Sequence, residues 1–183
     1  MHSHVLHDGT PVEIREIRAD DGDRLRAFHA RLSPESRYRR FLGARPTLSE
    51  ADARYLVEVD GRGHYALVAT DAVDGHHGEI IAVARFIALP EVPGTAEFAI
   101  VVGDAYQRQG LAAALMDQLA AAAVTRGITR FRAVMLSDNL AIQRLLERLS
   151  VGDVEVRMLG STTEMEISLT AREAFGDSLE AVA

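Results

Sequence analysis

Cysteine and lysine are both missing from this chain of 183 residues, and each absence excludes a class of chemistry. Without cysteine there is no disulfide framework, no thiolate metal site and no cysteine nucleophile. Without lysine there is no Walker-type phosphate loop, because that motif depends on its lysine. Long apolar runs are missing too: none approaches the roughly 20 residues that cross a bilayer, and the start MHSHVLHDGT lacks the apolar core of a signal peptide. We therefore expect a cytoplasmic protein with no membrane partner.

Positive charge is in short supply, since 20 basic residues, all arginine, face 27 acidic ones and the formal net charge is −7. Nucleic acids are held by clustered positive charge, so we expect no nucleic-acid partner. One short basic cluster, Arg37, Arg39 and Arg40, is equally well interpreted as a solvated helix face or as part of a substrate groove.

Histidines occur at two places that could suggest a metal site, namely His2, His4 and His7 near the start and the pair His76-His77. Neither group carries the accompanying carboxylates of a typical ligand set. We interpret both groups as solvated side chains and expect no metal.

The hydrophobic pattern predicts one domain, residues 1–170, followed by a weakly attached tail, residues 171–183. Alternating apolar residues predict strands, and apolar residues three and four apart predict helices. In chain order the pattern predicts a hairpin around Asp8-Gly9, helices beginning near Asp20, Ser33 and Ser49, strands over 65–70, 79–88 and 95–102, a helix from Leu111 to Gly127, a strand over 130–136, a helix capped by Ser137-Asp138, and strands over 154–159 and 163–169. This order favours an α/β (α+β) fold with a mixed, mostly antiparallel central sheet flanked by helices.

The segment QRQGLA, from Gln107 to Ala112, carries the most specific signal, because it lies between a strand and the first turn of a helix. About four backbone N–H groups have no partner there, and with the positive end of the helix dipole they form an anion site suited to a pyrophosphate. Gly110 has no side chain to block the anion, and Ala112 keeps the next turn small. A Rossmann loop is excluded, because it needs two further glycines.

This segment resembles the acetyl-coenzyme A signature of the GNAT N-acetyltransferases, [Q/R]-x-x-G-x-[A/G], and Asn139 matches that family's second cofactor segment. The segments LSPESRYRRF (32–41), ARF (84–86) and AEFA (96–99) are similar to the catalytic domain of the Pat-type protein lysine acetyltransferases. The resemblance implies the GNAT fold, with strands that splay apart at the acetyl-coenzyme A site. It implies acetyl-coenzyme A as co-substrate, with backbone groups of β-strand residues pairing with its pantetheine arm. The implied binding residues are Ile100, Val102, Gln107, Arg108, Gln109, Gly110, Leu111, Ala112 and Asn139.

The resemblance assigns Glu97 as the general base that deprotonates an acceptor amine. The sequence adds a physical reason, because a partly buried carboxylate in an otherwise apolar strand is a stronger base. An alternative remains open: if the hairpin turns symmetrically about Glu91, Arg85 lies opposite Glu97 and the two form a structural ion pair. Many family members carry a tyrosine acid at the position that corresponds to Leu146, so no general acid is assigned.

The implied reaction is transfer of an acetyl group from acetyl-coenzyme A to a primary amine, by direct attack in a ternary complex. A protein lysine is the expected acceptor, and a small amine or polyamine is the alternative. A non-catalytic acyl-coenzyme A sensor or interaction module is an alternative of another class. A homodimer is one assembly that the sequence leaves open.

The absence of lysine gives a first testable prediction. Acetyl groups are accepted by neutral amines, and arginine stays protonated at ordinary pH, so the chain offers only its terminal α-amine. Incubation of the untagged protein with acetyl-coenzyme A is expected to add at most a single stable acetyl group, as measured by intact-mass spectrometry. Several acetyl increments on the chain alone would mean that hydroxyl groups are modified, which contradicts an amine-acceptor mechanism.

Overall fold

One sheet of eight strands organises the chain, with helices on both of its faces. The computed structural model describes residues 2–44, 46–71, 78–150 and 154–169. The strands are β1 (His2–Val5), β2 (Pro11–Glu16), β3 (His64–Thr70), β4 (Ile80–Ala88), β5 (Thr95–Val102), β6 (Arg130–Leu136), β7 (Val154–Leu159) and β8 (Thr162–Ser168). The helices are α1 (Gly22–Arg31), α2 (Pro34–Phe41), α3 (Glu50–Val57), α4 (Leu111–Val124) and α5 (Leu140–Leu149). The predicted helices and strands are confirmed in type and in order.

The β1–β2 hairpin forms around the predicted Asp8-Gly9 turn. Gly9 has a left-handed φ of 89°, which favours glycine, and Asp8 Oδ1 accepts a hydrogen bond of 2.9 Å from the Thr10 N–H. The tip of this hairpin reaches a distant loop, because the His7 N–H donates to the Gln109 carbonyl at 3.2 Å. The hairpin therefore supports the segment that precedes α4.

Serine side chains cap the N-termini of α2 and α3, as the sequence predicts. Ser33 Oγ accepts a hydrogen bond from the Ser36 N–H at 3.1 Å, and Ser49 Oγ accepts from the Asp52 N–H at 3.0 Å. Each bond satisfies one of the N–H groups that have no partner inside the helix. These two caps fix where the chain turns into each helix.

The strand order is β1-β2-β3-β4-β5-β6-β8-β7, and the pairs are antiparallel except for β5 with β6. That parallel pair is short, because only Thr95–Glu97 and Arg130–Arg132 are in register. Beyond it β5 continues along β4 to Val102, and β6 continues along β8 to Leu136. The two strands therefore separate after Glu97, which confirms the predicted mixed, mostly antiparallel sheet with splayed strands.

Two apolar layers hold the helices against the sheet. On one face, α4 contributes the predicted stripe of Leu111, Leu115 and Leu119, whose side chains are at most 1% exposed. On the other face, Leu25 and Phe28 of α1 are buried together with residues of α3. A fully buried leucine stabilises the fold by roughly 1.5–3 kcal/mol, so packing on the sheet holds α4 in place.

Two expectations fall outside the described residues, namely the pair His76-His77 and the tail of residues 171–183. The boundary between domain and tail therefore stays a prediction. Within the described ranges, none of the helices combines the length and the apolar character that a bilayer crossing requires.

A buried ion pair joins β2 to the start of α1. Arg15 donates to both carboxylate oxygens of Asp21, at 2.7 and 2.8 Å, and the two side chains are 8% and 0% exposed. The Arg18 N–H and the Arg24 guanidinium also donate to Asp21. Burial acts to raise the pKa of Asp21, but the hydrogen bonds from Arg15 and Arg18 and the charges of Arg15 and Arg24 outweigh it. They hold this pKa below its ordinary value.

This pair predicts the effect of Asp21→Asn. The amide leaves the Arg15 charge buried without a counter-ion, so the free energy of unfolding at pH 7 is expected to fall by about 3–5 kcal/mol in urea denaturation. Because the folded pKa is lowered, the contribution of Asp21 is present above about pH 4 and is lost as the pH falls through the folded value. The wild type should therefore lose stability in that acid range more steeply than Asp21→Asn. Asp23→Asn is the matched control, because Asp23 is 97% exposed, and equal losses in both variants would contradict the prediction.

Candidate active site

The separation of β5 from β6 opens a cleft of about 800 Å³. Its walls are the second half of β5, the middle of β6 and the first turns of α4 and α5, while α2 lies across it. The lining residues are Glu35, Ser36, 39–42, 97–102, Tyr106, Gln107, Arg108, Gly110, Ala112, Ala113, 133–135, 138–142 and Leu145. A cavity of this size is typical of a small-molecule or cofactor site.

The backbone of β5 presents polar groups to this cleft. The Gly103 N–H donates to the Ile81 carbonyl of β4 at 2.8 Å. Successive residues of a strand direct their backbone groups to opposite edges, and the register with β4 is continuous here. Ile100 and Val102 therefore direct their N–H and C=O groups toward β6, where β5 has no paired strand. This is the arrangement expected for residues that pair with an extended ligand.

The loop before α4 is shaped by left-handed backbone. Gly110 is the residue before the helix and has a φ of 86°, and no side chain makes a capping hydrogen bond there. Arg108 also has a positive φ, 59°, which is unusual for a residue with a side chain. Strain of this kind concentrates at ligand sites. The N–H groups of the first turn of α4 remain available to an anion, as the sequence predicts.

Gly110 is also constrained from the side of the hairpin. A Cβ atom at this position would lie 2.8 Å from Nε2 of His7, closer than real side chains approach. From the sequence, the approach of an anion is the one reason for a glycine at this position. The structure adds two reasons for glycine, namely the positive φ and the contact with His7.

The side chain of Gln107 ties this loop to its surroundings. Its Nε2 donates to the Val102 carbonyl at 3.1 Å and to Ser36 Oγ at 3.2 Å. Gln107 therefore joins the loop to β5 and to α2, a positioning task that the sequence did not predict.

Two of the predicted binding residues do not line the cleft with the others. The Gln109 carbonyl accepts the hydrogen bond from His7, and the Leu111 side chain is 1% exposed inside the core. Leu111 can therefore contribute only backbone groups to a ligand, and the Gln109 carbonyl is already used by the hairpin. The remaining predicted binding residues all line the cleft: Ile100, Val102, Gln107, Arg108, Gly110, Ala112 and Asn139.

Hydrogen bonds of Asp104 and Arg39 hold α2 across the cleft. Asp104 accepts from the N–H and Oγ of Ser33 at 2.9 and 2.7 Å and from Ser36 Oγ at 2.7 Å. Burial acts to raise the pKa of Asp104, but the bonds from Ser33 and Ser36 lower it below its ordinary value. At the other end of the cleft, Arg39 pairs with Asp138 at 3.4 Å and so links α2 to α5.

The contribution of α2 is the part of the site that sequence reasoning largely missed. The sequence allows two interpretations of the basic cluster, a solvated helix face or part of a substrate groove. Arg39 and Arg40 line the cleft, whereas Arg37 donates to the Pro46 carbonyl at 3.0 Å. The available signal was the Ser33 cap, which fixes the start of α2, but nothing in the sequence indicates where that helix packs.

The predicted ion pair between Arg85 and Glu97 is wrong. Glu97 lies opposite Ile87, and Arg85 lies opposite Ala99, because the turn is centred one residue later than the symmetric expectation. Arg85 instead donates to the Leu56 carbonyl at 3.0 Å. The expected partial burial of Glu97 is also wrong, because this side chain is exposed.

Three carboxylates line the cleft, namely Glu35, Glu97 and Asp138. Glu35 and Asp138 pair with Arg39 at 3.0 and 3.4 Å. Glu97 forms no ion pair with any residue that the structure describes, and it lies where β5 leaves β6. Of the three, it is the carboxylate most able to accept a proton from a ligand.

The start of α5 differs from the prediction. Asn139, and not Ser137-Asp138, is the residue before the helix, and its side chain makes no capping hydrogen bond. Asn139 lines the cleft, so its amide faces the region where a ligand would bind. Farther along α5, Leu146 is fully buried in the core and offers no acid to the cleft.

The sequence model of the Acetyltransferase (GNAT) family matches residues 21–150. The chain belongs to this family. Its relatives include the acetyltransferase Pat of Mycolicibacterium smegmatis, which is 38% identical over 145 residues, covering 79% of this chain and 41% of that protein. An acetyltransferase of Pseudomonas aeruginosa is 36% identical over 140 residues, covering 76% of this chain and 74% of that protein.

The fold agrees with a solved member of the family. The GNAT domain of S. lividans Pat superposes with a TM-score of 0.78 and 31% sequence identity, covering 92% of this chain and 96% of that domain. By contrast, the chain spans 41% of the length of the mycobacterial Pat. The similarity to Pat-type proteins therefore concerns their acetyltransferase domain.

GNAT family members use acetyl-coenzyme A as co-substrate, and this chain is an acyltransferase of that family. Two parts of the cleft suit two parts of such a molecule. Exposed N–H groups at the start of α4 suit a pyrophosphate, and the unpaired edge of β5 suits an extended amide-bearing arm. The small side chains of Ala112 and Ala113 leave the first turn of α4 open to the cleft.

Gly110→Val is expected to weaken coenzyme A binding at least tenfold, about 1.4 kcal/mol, in isothermal titration calorimetry. A side chain here strains the positive φ and displaces His7, which disturbs the N–H groups that face the anion. Gly127→Val is the matched control, because Gly127 follows the other end of α4 with a φ of 80° and has open space around it. The control should lose stability and keep its affinity. Unchanged affinity in a folded Gly110→Val protein would contradict the assignment of this loop.

Proposed function

We propose that this protein transfers the acetyl group of acetyl-coenzyme A to the side-chain amine of a protein lysine, by direct attack in a ternary complex. Two of the segments that resemble Pat-type lysine acetyltransferases, 32–41 and 96–99, contribute residues to the lining of the cleft. The relatives named Pat support the same activity. We place the reaction in the cytoplasm, and a homodimer is an assembly that light scattering would reveal.

The position of Glu97 is the observation that carries this proposal. It is an exposed carboxylate in the cleft, at the last residue of β5 that pairs with β6. Beyond it the strand edge is open, so an amine beside Glu97 lies next to the backbone groups that would hold the thioester. Placement of this kind turns a bimolecular reaction into an effectively unimolecular one.

The residues of the chain suggest how each proton and bond is handled. Glu97 takes a proton from the ammonium, directly or through a water, and the neutral amine attacks the thioester carbonyl carbon. A backbone N–H of β5 near Ile100 or Val102 donates to the oxyanion that forms. The nitrogen, which is cationic after the attack, gives its second proton to solvent, the C–S bond breaks, and coenzyme A leaves as a thiolate. With the buried Leu146 at the usual position of the acid, the thiolate takes its proton from solvent.

A small amine or polyamine is the second acceptor class. The observation in its favour is Glu97, a carboxylate of the cleft that forms no ion pair with any described residue and so attracts a small cation. A non-catalytic acyl-coenzyme A sensor is the rival of another class, favoured by the missing acid. Assays of thiol release with lysine peptides and a panel of amines separate the three. A sensor gives thermal stabilisation by coenzyme A without turnover.

Glu97→Gln is expected to lower kcat/KM at neutral pH by roughly 10² to 10⁴, the usual worth of a general base, while coenzyme A affinity stays the same. The substitution removes the proton acceptor and keeps the size of the side chain. Glu91→Gln is the matched control, because Glu91 is an exposed carboxylate in the β4–β5 turn outside the cleft. If Glu97→Gln retains full activity, Glu97 is not the base.

A further inference from the structure

A second, smaller cavity of about 30 Å³ lies next to the cleft, on the face of the sheet that carries α1 and α3. Arg40, Phe41, Ala99 and Val101 line both spaces, so the two are separated only by these side chains. The walls of the small cavity are apolar apart from three basic residues, His29, Arg40 and Arg85. Among the described residues that line it, none is acidic.

Arg85 is the buried charge in this cavity, with a side chain that is 4% exposed. Its Nη1 donates to the Leu56 carbonyl at 3.0 Å and contacts Nε2 of His64 at 3.2 Å. Neither partner carries a negative charge. Burial, with a smaller contribution from the positive charge of Arg40, lowers the pKa of Arg85 to about 9, which leaves the guanidinium protonated at neutral pH. A buried cation without a counter-ion is unfavourable, and a bound anion would relieve that cost.

The guanidinium also retains donors for such an anion. Arginine has five N–H donors in a planar fork that matches the two oxygens of a carboxylate. Among the described residues, both contacts of Arg85 involve Nη1, which leaves the other edge of the fork for a ligand. The cavity volume is about two to three times the 10–15 Å³ that one water needs, so it has room for two water-sized groups, such as the two oxygens of a carboxylate.

The register places this cavity close to the proposed base. Arg85 lies opposite Ala99, and Glu97 is the next residue on the same face of β5. Diagonal neighbours of this kind are about 7–8 Å apart. This span is within the length of a modest substrate, which would enter the small cavity only if a side chain between the two spaces, Arg40 or Phe41, moves aside.

We propose that the cavity at Arg85 is a subsite for a carboxylate carried by one of the two substrates, with a carboxylate close to the acceptor lysine, such as the α-carboxylate of a C-terminal lysine, as the favoured source. This inference rests on the proposed function, because it places the acceptor amine beside Glu97. The amine of one acceptor would then bind beside Glu97 on β5, and its carboxylate would bind Arg85 on β4. The other possible source is a carboxylate on the acyl group of the acyl-coenzyme A donor, which would bind Arg85 through the same contacts.

A purely structural role for Arg85 predicts a different effect of substitutions on the choice of substrate. Holding the end of α3 through the Leu56 carbonyl uses one donor and needs no second edge of the fork. If that is the whole role, a substitution at Arg85 affects all substrates alike. If the cavity takes a carboxylate, the substitution changes the ratio between charged and uncharged substrates.

The experiment compares two acceptors that differ by one charge, Nα-acetyl-lysine and Nα-acetyl-lysinamide, in thiol-release kinetics. We expect the wild type to favour the carboxylate form by about tenfold or more in kcat/KM, within the range of a bidentate charged pair. Arg85→Met keeps an unbranched side chain without the charge or the N–H donors and should bring the ratio to one. Arg85→Lys should keep part of the preference, because it retains the charge without the fork. Arg148→Met is the matched control, since Arg148 pairs with Asp117 on α4 and lines neither space.

A second arm compares succinyl-coenzyme A with butyryl-coenzyme A on the amide acceptor. A preference for the succinyl donor that disappears in Arg85→Met assigns the carboxylate to the acyl group. If the wild type shows no preference in either arm, or if the preference survives Arg85→Met, the subsite is overturned. The wild-type comparison needs no variant, so it remains decisive if Arg85→Met fails to fold.

Calorimetric binding of the same two acceptors to the coenzyme A-bound protein separates this inference from the proposed function. A binding preference for the carboxylate form without acetyl transfer supports the subsite and contradicts the proposed function. Acetyl transfer to both acceptors with equal binding overturns the subsite and leaves the proposed function standing.

Discussion

The short pairing of β5 with β6 is the constraint on which the rest of the site depends. Each strand is held on its outer side, β5 by β4 as far as Val102 and β6 by β8 as far as Leu136, while the two are in register only up to Glu97. Backbone groups inside a sheet normally pair with the next strand, and leaving them without partners is costly. A ligand that supplies N–H and C=O groups along β5 forms the hydrogen bonds that a neighbouring strand would otherwise form. The gap in the sheet therefore creates the binding site.

An open gap keeps its shape only if its borders are fixed. Asp104 joins the start of α2 to the turn after β5, Gln107 joins the loop before α4 to both, and Arg39 joins α2 to α5. These contacts connect elements that come from distant parts of the chain, and they surround the cleft without filling it. On the other side, His7 of the β1–β2 hairpin packs next to Gly110 and supports the loop before α4. Groups positioned in this way are ready for a ligand before it arrives.

Local signals predicted most of the fold and the loop. Serine caps, the Asp8-Gly9 turn and the glycine before α4 depend on residues close together in sequence, so the sequence alone reveals them. The contact of His7 with Gly110 and the bonds of Ser33 with Asp104 join distant segments, which periodicity cannot indicate. The alternative ion pair between Arg85 and Glu97 does not form, and the reason is the position of the β4–β5 turn. A turn centred one residue later changes every cross-strand neighbour, and turn residues alone do not fix that centre.

The two buried arginines of the sheet show why the corrected register matters for function. Arg15 has Asp21, so its charge is balanced inside the protein and its purpose is structural. Arg85 has a carbonyl and an imidazole, so its charge is not balanced by its own hydrogen-bond partners. A buried charge is weak evidence for stability, because an apolar side chain of similar size often serves packing as well. With Glu97 one step along the same face, Arg85 gives this strand pair a negative group in the cleft and a positive group in the adjoining small cavity. A substrate with charges of both signs fits that pattern in a single orientation.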